Sequence, residues 1–241
     1  MPEVKIGNTL IEYSIVRTNR KTVGINIDLE EGVVVRSPKR LNDKKIEEIV
    51  KNKSDWILKK LDKLGEIKDK PVSKEFMSGE KLSYIGRRYR LKVKEDKDVK
   101  KAKVKLYQGK FIVKVNPKLK DDKRRETIRD EFISWYREHA DEKINERVDK
   151  YKDKIGVRPN KIKVKKQKKR WGSCSSKGNL NFNWKLIMAP MSVIDYLVVH
   201  ELIHLLHPNH SREFWDTVET IIPDYEEKQE WLRVNGNRLI I

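Results

Sequence analysis

The chain has a single cysteine, Cys174, in 241 residues. One thiol cannot build an intramolecular disulfide framework or a cysteine-based zinc finger. Long apolar runs are missing too. No stretch approaches the roughly 20 residues that a membrane-spanning helix needs, and the mean hydropathy is −0.79. The opening Met1-Pro2-Glu3-Val4-Lys5 lacks the apolar core of a secretory signal. These absences lead us to expect a reduced, cytoplasmic compartment and no membrane partner. Acid is the other shortage: 37 Asp and Glu stand against 56 Lys and Arg, for a net charge of +19. Such an excess suits nucleic acid, nucleotides or anionic surfaces, or it coats a solvated, lysine-rich surface.

What is present argues for a packed fold. Six Trp, eight Tyr and five Phe supply apolar area too large for a disordered chain. Residues 4–37 read as strands, with Ile25 to Leu29 alternating and Val33-Val34-Val35 stopping before Pro38. A helix is expected from Asn42 or Asp43 to Leu64-Gly65, capped at its start by one of the first pair, and residues 66–75 read as a linker. Strand signals return at Tyr84-Ile85-Gly86, Leu91 to Val93, Val104 to Leu106 and Phe111 to Val115. A second helix is expected from Asp121-Asp122 to about Tyr151. At a constant offset Pro38 matches Pro117, Asp43 matches Asp122, Glu47 matches Glu126 and Trp56 matches Trp135, which suggests a repeated strands–proline–helix unit.

After further strand signals at Ile162 to Val164 and Asn179 to Trp184, Ser192 and Asp195 have the spacing of a capping box. They precede a helix that is apolar on nearly every side. Pro208 should close it, and a last helix should run from about Ser211 through Trp215, Val218 and Ile221. The expected fold class is α+β: a β-rich region over 1–120 and, over 121–241, a part built around that apolar helix.

Residues 198–210 read Val-Val-His-Glu-Leu-Ile-His-Leu-Leu-His-Pro-Asn-His. Four residues apart on a helix, His200 and His204 project from the same face, so two imidazoles can reach one tetrahedral cation. Glu201 is turned by about 100°; it cannot share their position but can act on a water beside the metal as general base. Burying three such groups without partners would cost several kcal/mol, a cost that a metal removes. Two residues are candidates for the third ligand, His207 on a continuing helix and His210 beyond the Pro208 turn. A row of three on one helix makes a poor tetrahedron, which favours His210 and leaves His207 at the rim.

These residues, with Arg170-Trp171-Gly172-Ser173-Cys174, Asn183-Trp184-Lys185-Leu186, Pro190, Asp195-Tyr196, Asn209-His210-Ser211 and Phe214-Trp215, resemble the YgjP-like metallopeptidase family. That family is similar to the SprT-like and WLM zincins. The resemblance runs along essentially the whole chain, including Trp56-Ile57. It implies a zincin-like C-terminal half, zinc (Zn2+) held by His200, His204 and His210, and Glu201 as the base.

A zinc-dependent hydrolase acting on peptides or proteins is therefore the leading expectation, with substrate backbone pairing along Asn179 to Asn183. Two other readings keep the metal: hydrolysis of a nucleotide phosphoanhydride, and nucleic-acid binding around a structural zinc. Cys174 reads as a packed thiol rather than a nucleophile or inhibitory ligand. Trp171 and Trp184 read as core, and Gly172 as a tight turn or close backbone approach. The basic run Lys165, Lys166, Lys168, Lys169 and Arg170 reads either as an anion-binding edge or as a strand edge kept soluble by lysine.

Overall fold

Strand propensity and turn chemistry place the N-terminal sheet. The computed structural model describes residues 2–6, 9–28, 31–65, 74–167 and 169–241. Strands β1 (Glu3–Ile6), β2 (Thr9–Thr18), β3 (Gly24–Asp28) and β4 (Gly32–Pro38) form a sheet of order β1-β2-β4-β3. Its apolar face, with Val4, Ile11, Tyr13, Val33 and Val35, packs with Ile46, Val50 and Ile57. The expected single helix after Pro38 is two, α1 (Asp43–Asn52) and α2 (Ser54–Gly65). Asn42 caps the first by accepting from the Lys45 N–H at 2.8 Å. The break falls at Asn52-Lys53-Ser54, where two weak helix formers, Asn52 and Ser54, flank the C-cap Lys53 and Ser54 is buried. These elements lie in a compact unit, Met1–Lys70; most of the expected linker, residues 66–73, lies outside the described residues.

The second compact unit, Pro71–Ile241, opens with β5 (Lys81–Tyr84), β6 (Arg87–Glu95), β7 (Lys103–Tyr107) and β8 (Lys110–Val115). Their order, β5-β6-β8-β7, and their antiparallel, parallel, antiparallel pairing repeat those of the first sheet. The core-facing pairing of Tyr13 with Val33 in one sheet corresponds to that of Leu91 with Phe111 in the other. Tyr84-Ile85-Gly86, expected to open a strand, instead ends one: Ile85 and Gly86 both have positive φ, 47° and 73°, as a two-residue hairpin turn requires. A β-branched residue rarely adopts that conformation. It is held by Ile85 N–H donating to the Ile187 carbonyl at 2.8 Å and Gly86 N–H to that of Met188 at 3.2 Å. A side chain on Gly86 would meet the Pro190 Cα at 2.8 Å. The turn thus props the segment that leads into the site helix.

Helix α3 (Asp121–Ile155) outruns its expected end and closes at Gly156, which is left-handed. Its Phe132, Tyr136, Ala140, Ile144 and Val148 recur every four residues or so and are fully buried, as one face of a helix should be. The third sheet has order β10-β11-β9, from β9 (Lys161–Lys165), β10 (Gly172–Cys174) and β11 (Asn179–Asn183). A 3₁₀ turn, Trp184–Met188, leads to α4 (Met191–Ile203), α5 (Arg212–Ile221) and α6 (Tyr225–Asn235). No sequence signal singled out α6. The architecture is α+β with mixed sheets and, among the described residues, six α-helices; no helix there is long and apolar enough to cross a membrane.

The capping box at Ser192 does not form. Pro190 occupies the N-cap position, and its carbonyl accepts from Val193 and Ile194. Asp195 is engaged elsewhere: it pairs with the Arg147 guanidinium through two contacts and accepts from Tyr151 Oη at 3.1 Å. Both charged groups are mostly buried, so removing one would strand the other at a cost of about 3–5 kcal/mol. This pair ties α4 to α3.

Candidate metal centre

Helix α4 is apolar almost all round, and Val193, Ile194, Val198, Val199, Leu202 and Ile203 are buried. Packing therefore fixes its rotation and the direction of its few polar side chains. The helix ends at Ile203; the Leu206 and His207 N–H groups both donate to the Ile203 carbonyl at 2.9 Å. Pro208 cannot continue it, and the chain returns with His210 just before the α5 N-cap, Ser211. His210 Nε2 lies 3.1 Å from His200 Nε2. One ring nitrogen from each of His200, His204 and His210 lies within 4.8 Å of the other two; His207 is not in the group.

The arrangement fits a metal by its donor chemistry. Nitrogens bound to a tetrahedral zinc at about 2.0–2.1 Å stand roughly 3.3 Å apart, close to the observed 3.1 Å. His204 Nδ1 faces the His207 carbonyl oxygen at 3.1 Å. A carbonyl only accepts, so Nδ1 carries the proton and Nε2 keeps its lone pair. His207 thus contributes its backbone. Burial and the two neighbouring imidazoles push the His200 pKa down to about 3, and burial lowers that of His204. Both are neutral, as ligands must be.

Two aromatic residues of α5, Phe214 and Trp215, pack against these rings. The Phe214 ring centroid is 4.6 Å from that of His204, 4.8 Å from His210 and 5.0 Å from His200. Trp215 stacks on His210 at 5.5 Å and on Tyr225 at 5.1 Å. The signal was there: Phe214 lies in the first turn of α5, which begins two residues after His210.

Glu201 is 4% exposed, and its Oε2 has no hydrogen-bond partner among the described residues. Burial pushes its carboxyl pKa up to about 8, against the pull of the Arg170 guanidinium. Gly172 explains the fit around it. A Cβ there would lie 2.4 Å from Glu201 Oε1 and 2.8 Å from its Cγ and Cδ, so the expected close backbone approach is an approach to Glu201. Gly172→Ala should displace the carboxylate, lowering hydrolysis sharply and stability by about 1–3 kcal/mol, with metal content unchanged. Parallel zinc, melting and rate measurements check this.

A cleft of about 730 Å³ is lined by Gly172, Ser173 and Cys174 of β10, by Leu205 and Pro208, by the three histidines and Glu201, and by Arg170. A smaller cavity of about 320 Å³ shares Arg170, Gly172, His200 and Glu201 and adds Tyr196 and Gln229. Substrate pairing along Asn179 to Asn183 is not available, because β11 is flanked on both sides, by β10 and β9. Of the two edge strands, β9 and β10, it is β10 that lines the cleft. The Trp171 carbonyl accepts from Asn183 N–H at 2.8 Å and Ser175 N–H donates to the Asn179 carbonyl at 3.0 Å. By antiparallel alternation, the peptide groups of Gly172 and Cys174 face away from β11.

Cys174 is half-buried; burial and the nearby Glu201 raise its pKa, which opposes a reactive thiolate. Trp184 is fully buried, whereas Trp171 is partly buried and lies so close to Gly236 that a Cβ there would meet its ring at 3.0 Å. The basic run divides. Lys165 ends β9, Asn183 Nδ2 donates to the Gln167 and Arg170 carbonyls, Arg170 reaches the cleft, and Lys168 lies outside the described residues.

The raised and lowered pKa values predict the stability of the metal-free protein. The folded state keeps a proton on Glu201 that the unfolded chain has lost, so this contribution is full below about 4.5 and disappears as pH rises through about 8. His200 runs the other way: its contribution is present above 6.5 and is lost as pH falls toward 3. Between pH 6.5 and 8 Glu201 dominates. The Tm of metal-free protein should fall across that window, and in Glu201→Gln the fall should vanish.

A family model described as YgjP-like, metallopeptidase domain, matches residues 21–235. No curated protein matches the chain in sequence. Among solved structures, the metallopeptidase zymogen of Pyrococcus abyssi abylysin is 20% identical, covers 41% of this chain and 99% of that one, and has a TM-score of 0.37. The zymogen of Methanocaldococcus jannaschii jannalysin is 22% identical, covers 40% of this chain and 97% of its own, and has a TM-score of 0.35.

Proposed function

The chain belongs to the YgjP-like metallopeptidase family, and on that premise we propose that it hydrolyses peptide bonds with zinc held by His200, His204 and His210 and with Glu201 as general base. The observation that carries this reading is the convergence of three imidazole nitrogens within 4.8 Å beside a buried carboxylate with an unpartnered oxygen. When bound, zinc supplies a Lewis acid for the scissile carbonyl and makes a water acidic.

The chain's own residues do the rest. An extended peptide pairs with the open edge of β10 through the Gly172 and Cys174 peptide groups, which holds its carbonyl at the histidine cluster. Glu201 accepts the proton of the attacking water and delivers it to the leaving amine. Its raised pKa suits a group that must both take and give a proton near neutral pH. Leu205 and Pro208 line the cleft with apolar surface.

The test is a panel with the zinc-loaded full chain: casein, a quenched fluorescent peptide library and a nucleoside triphosphate. Cleavage of peptide, abolished by a chelator and restored by zinc, is the expected result. Turnover of the triphosphate alone would replace the peptidase reading with the nucleotide one.

A further inference from the structure

The outer face of the β5–β8 sheet carries a charge pattern that the proposed hydrolysis does not use. Strand alternation sends Leu82, Leu91, Phe111, Val113 and Leu106 inward and their neighbours outward. Across the four strands Lys81 pairs with Arg90, Arg90 with Lys110, and Lys110 with Tyr107. A second row runs Lys94, Lys114, Lys103, and between them Lys92 and Lys105 flank Ile112. With Arg88 opposite Ser83, the outward positions hold nine cations and no acid. Of these nine, among the described residues, Lys114 alone forms an ion pair, to Asp96 at 2.8 Å.

Like charges directly opposite on neighbouring strands destabilise a sheet, so this pattern opposes folding unless something anionic covers it. A lysine-rich composition alone does not account for it. On the helices, lysines alternate with acids and pair with them, as Lys45 does with Glu48, Lys123 with Glu126 and Lys143 with Glu146. Nor does the topology demand it. The corresponding face of the first sheet mixes signs, with Glu3 opposite Glu12 and Lys5 opposite Leu10. At the β5 end of the face, a cavity of about 380 Å³ is lined by Lys74, Lys81, Arg88 and Arg238 with no acid. At the β7 end, Tyr107 is 52% exposed, with Lys105 Nζ 4.9 Å from its ring centroid.

We infer that this sheet face binds the phosphate backbone of single-stranded nucleic acid. Cations in parallel rows suit a repeating anion, and an exposed ring flanked by a lysine is a platform on which a base stacks without sequence preference. An acidic polypeptide would meet the same charges but has less use for the ring. The surface is separate from the 165–170 run and needs no metal.

The experiment is fluorescence anisotropy of a labelled oligothymidylate with the full chain at several salt concentrations. Arg90→Gln, Lys92→Gln, Lys94→Gln and Lys110→Gln are combined in one variant. A control combines Lys44→Gln, Lys53→Gln, Lys59→Gln and Lys60→Gln, exposed lysines that remove the same charge. The sheet variant is expected to lose at least tenfold in affinity. Its log–log salt slope should flatten by about 0.7 per lost contact, close to three for four. The control should stay near wild type, and Tyr107→Ala should weaken binding roughly 5- to 150-fold. Equal losses in the two combined variants would overturn the proposal, reducing it to net charge. So would tighter binding of polyglutamate or phosphatidylserine vesicles than of the oligonucleotide. A measurement without variants guards against misfolding: the oligonucleotide should protect Lys92, Lys94 and Lys110 of the wild type from acetylation and leave Lys44 and Lys59 reactive. Uniform protection would contradict the assignment.

Discussion

His210→Ala should leave the chain unable to hold zinc under conditions in which the wild type retains one ion per molecule. His210 reaches His200 Nε2 at 3.1 Å from beyond the Pro208 turn, and its removal deletes one of three donors. Losing only a ligand's hydrogen-bond partner typically costs 10–100-fold in metal affinity; losing the ligand should cost more, and activity should fall with it. His207→Ala is the matched control. Its carbonyl, which fixes His204 Nδ1, survives the substitution, so zinc should stay. Metal stoichiometry after dialysis reads both, and the opposite ranking would make His207 the ligand.

Glu201→Gln should separate binding from chemistry. Gln has nearly the same shape, so the pocket against Gly172 remains filled, and no ligand nitrogen is touched. It cannot accept a proton. Hydrolysis is expected to drop by roughly 10²–10⁴-fold with zinc still at one per chain. A zinc-loaded variant of full activity would rule out Glu201 as base.

The histidine helix was legible because its signal is local: an i, i+4 pair within an unbroken apolar run specifies face and burial together. His210 was legible because Pro208 keeps the chain from returning to a helix before it, although α4 already ends at Ile203. Sheet order was not, since the alternation in Asn179 to Asn183 is the same for a central strand as for an edge; only its pairing with both β9 and β10 leaves Gly172–Cys174 as the edge that lines the cleft. Ser192 and Asp195 had capping spacing, but a partner 48 residues away in sequence, Arg147, decided where Asp195 points. The basic sheet face follows the same rule. Lysine and arginine at alternate positions of β6 can be read along the chain, but their opposition to Lys81, Lys110 and Lys114 needs the register.

X-ray absorption at the zinc edge of the zinc-loaded chain tests the central claim most directly. Three nitrogen neighbours at about 2.0–2.1 Å and one further light neighbour are the predicted result, with the three imidazoles resolved by their outer scattering. A sulfur neighbour near 2.3 Å, placing Cys174 on the metal, or a shell of four imidazoles, bringing in His207, would contradict it.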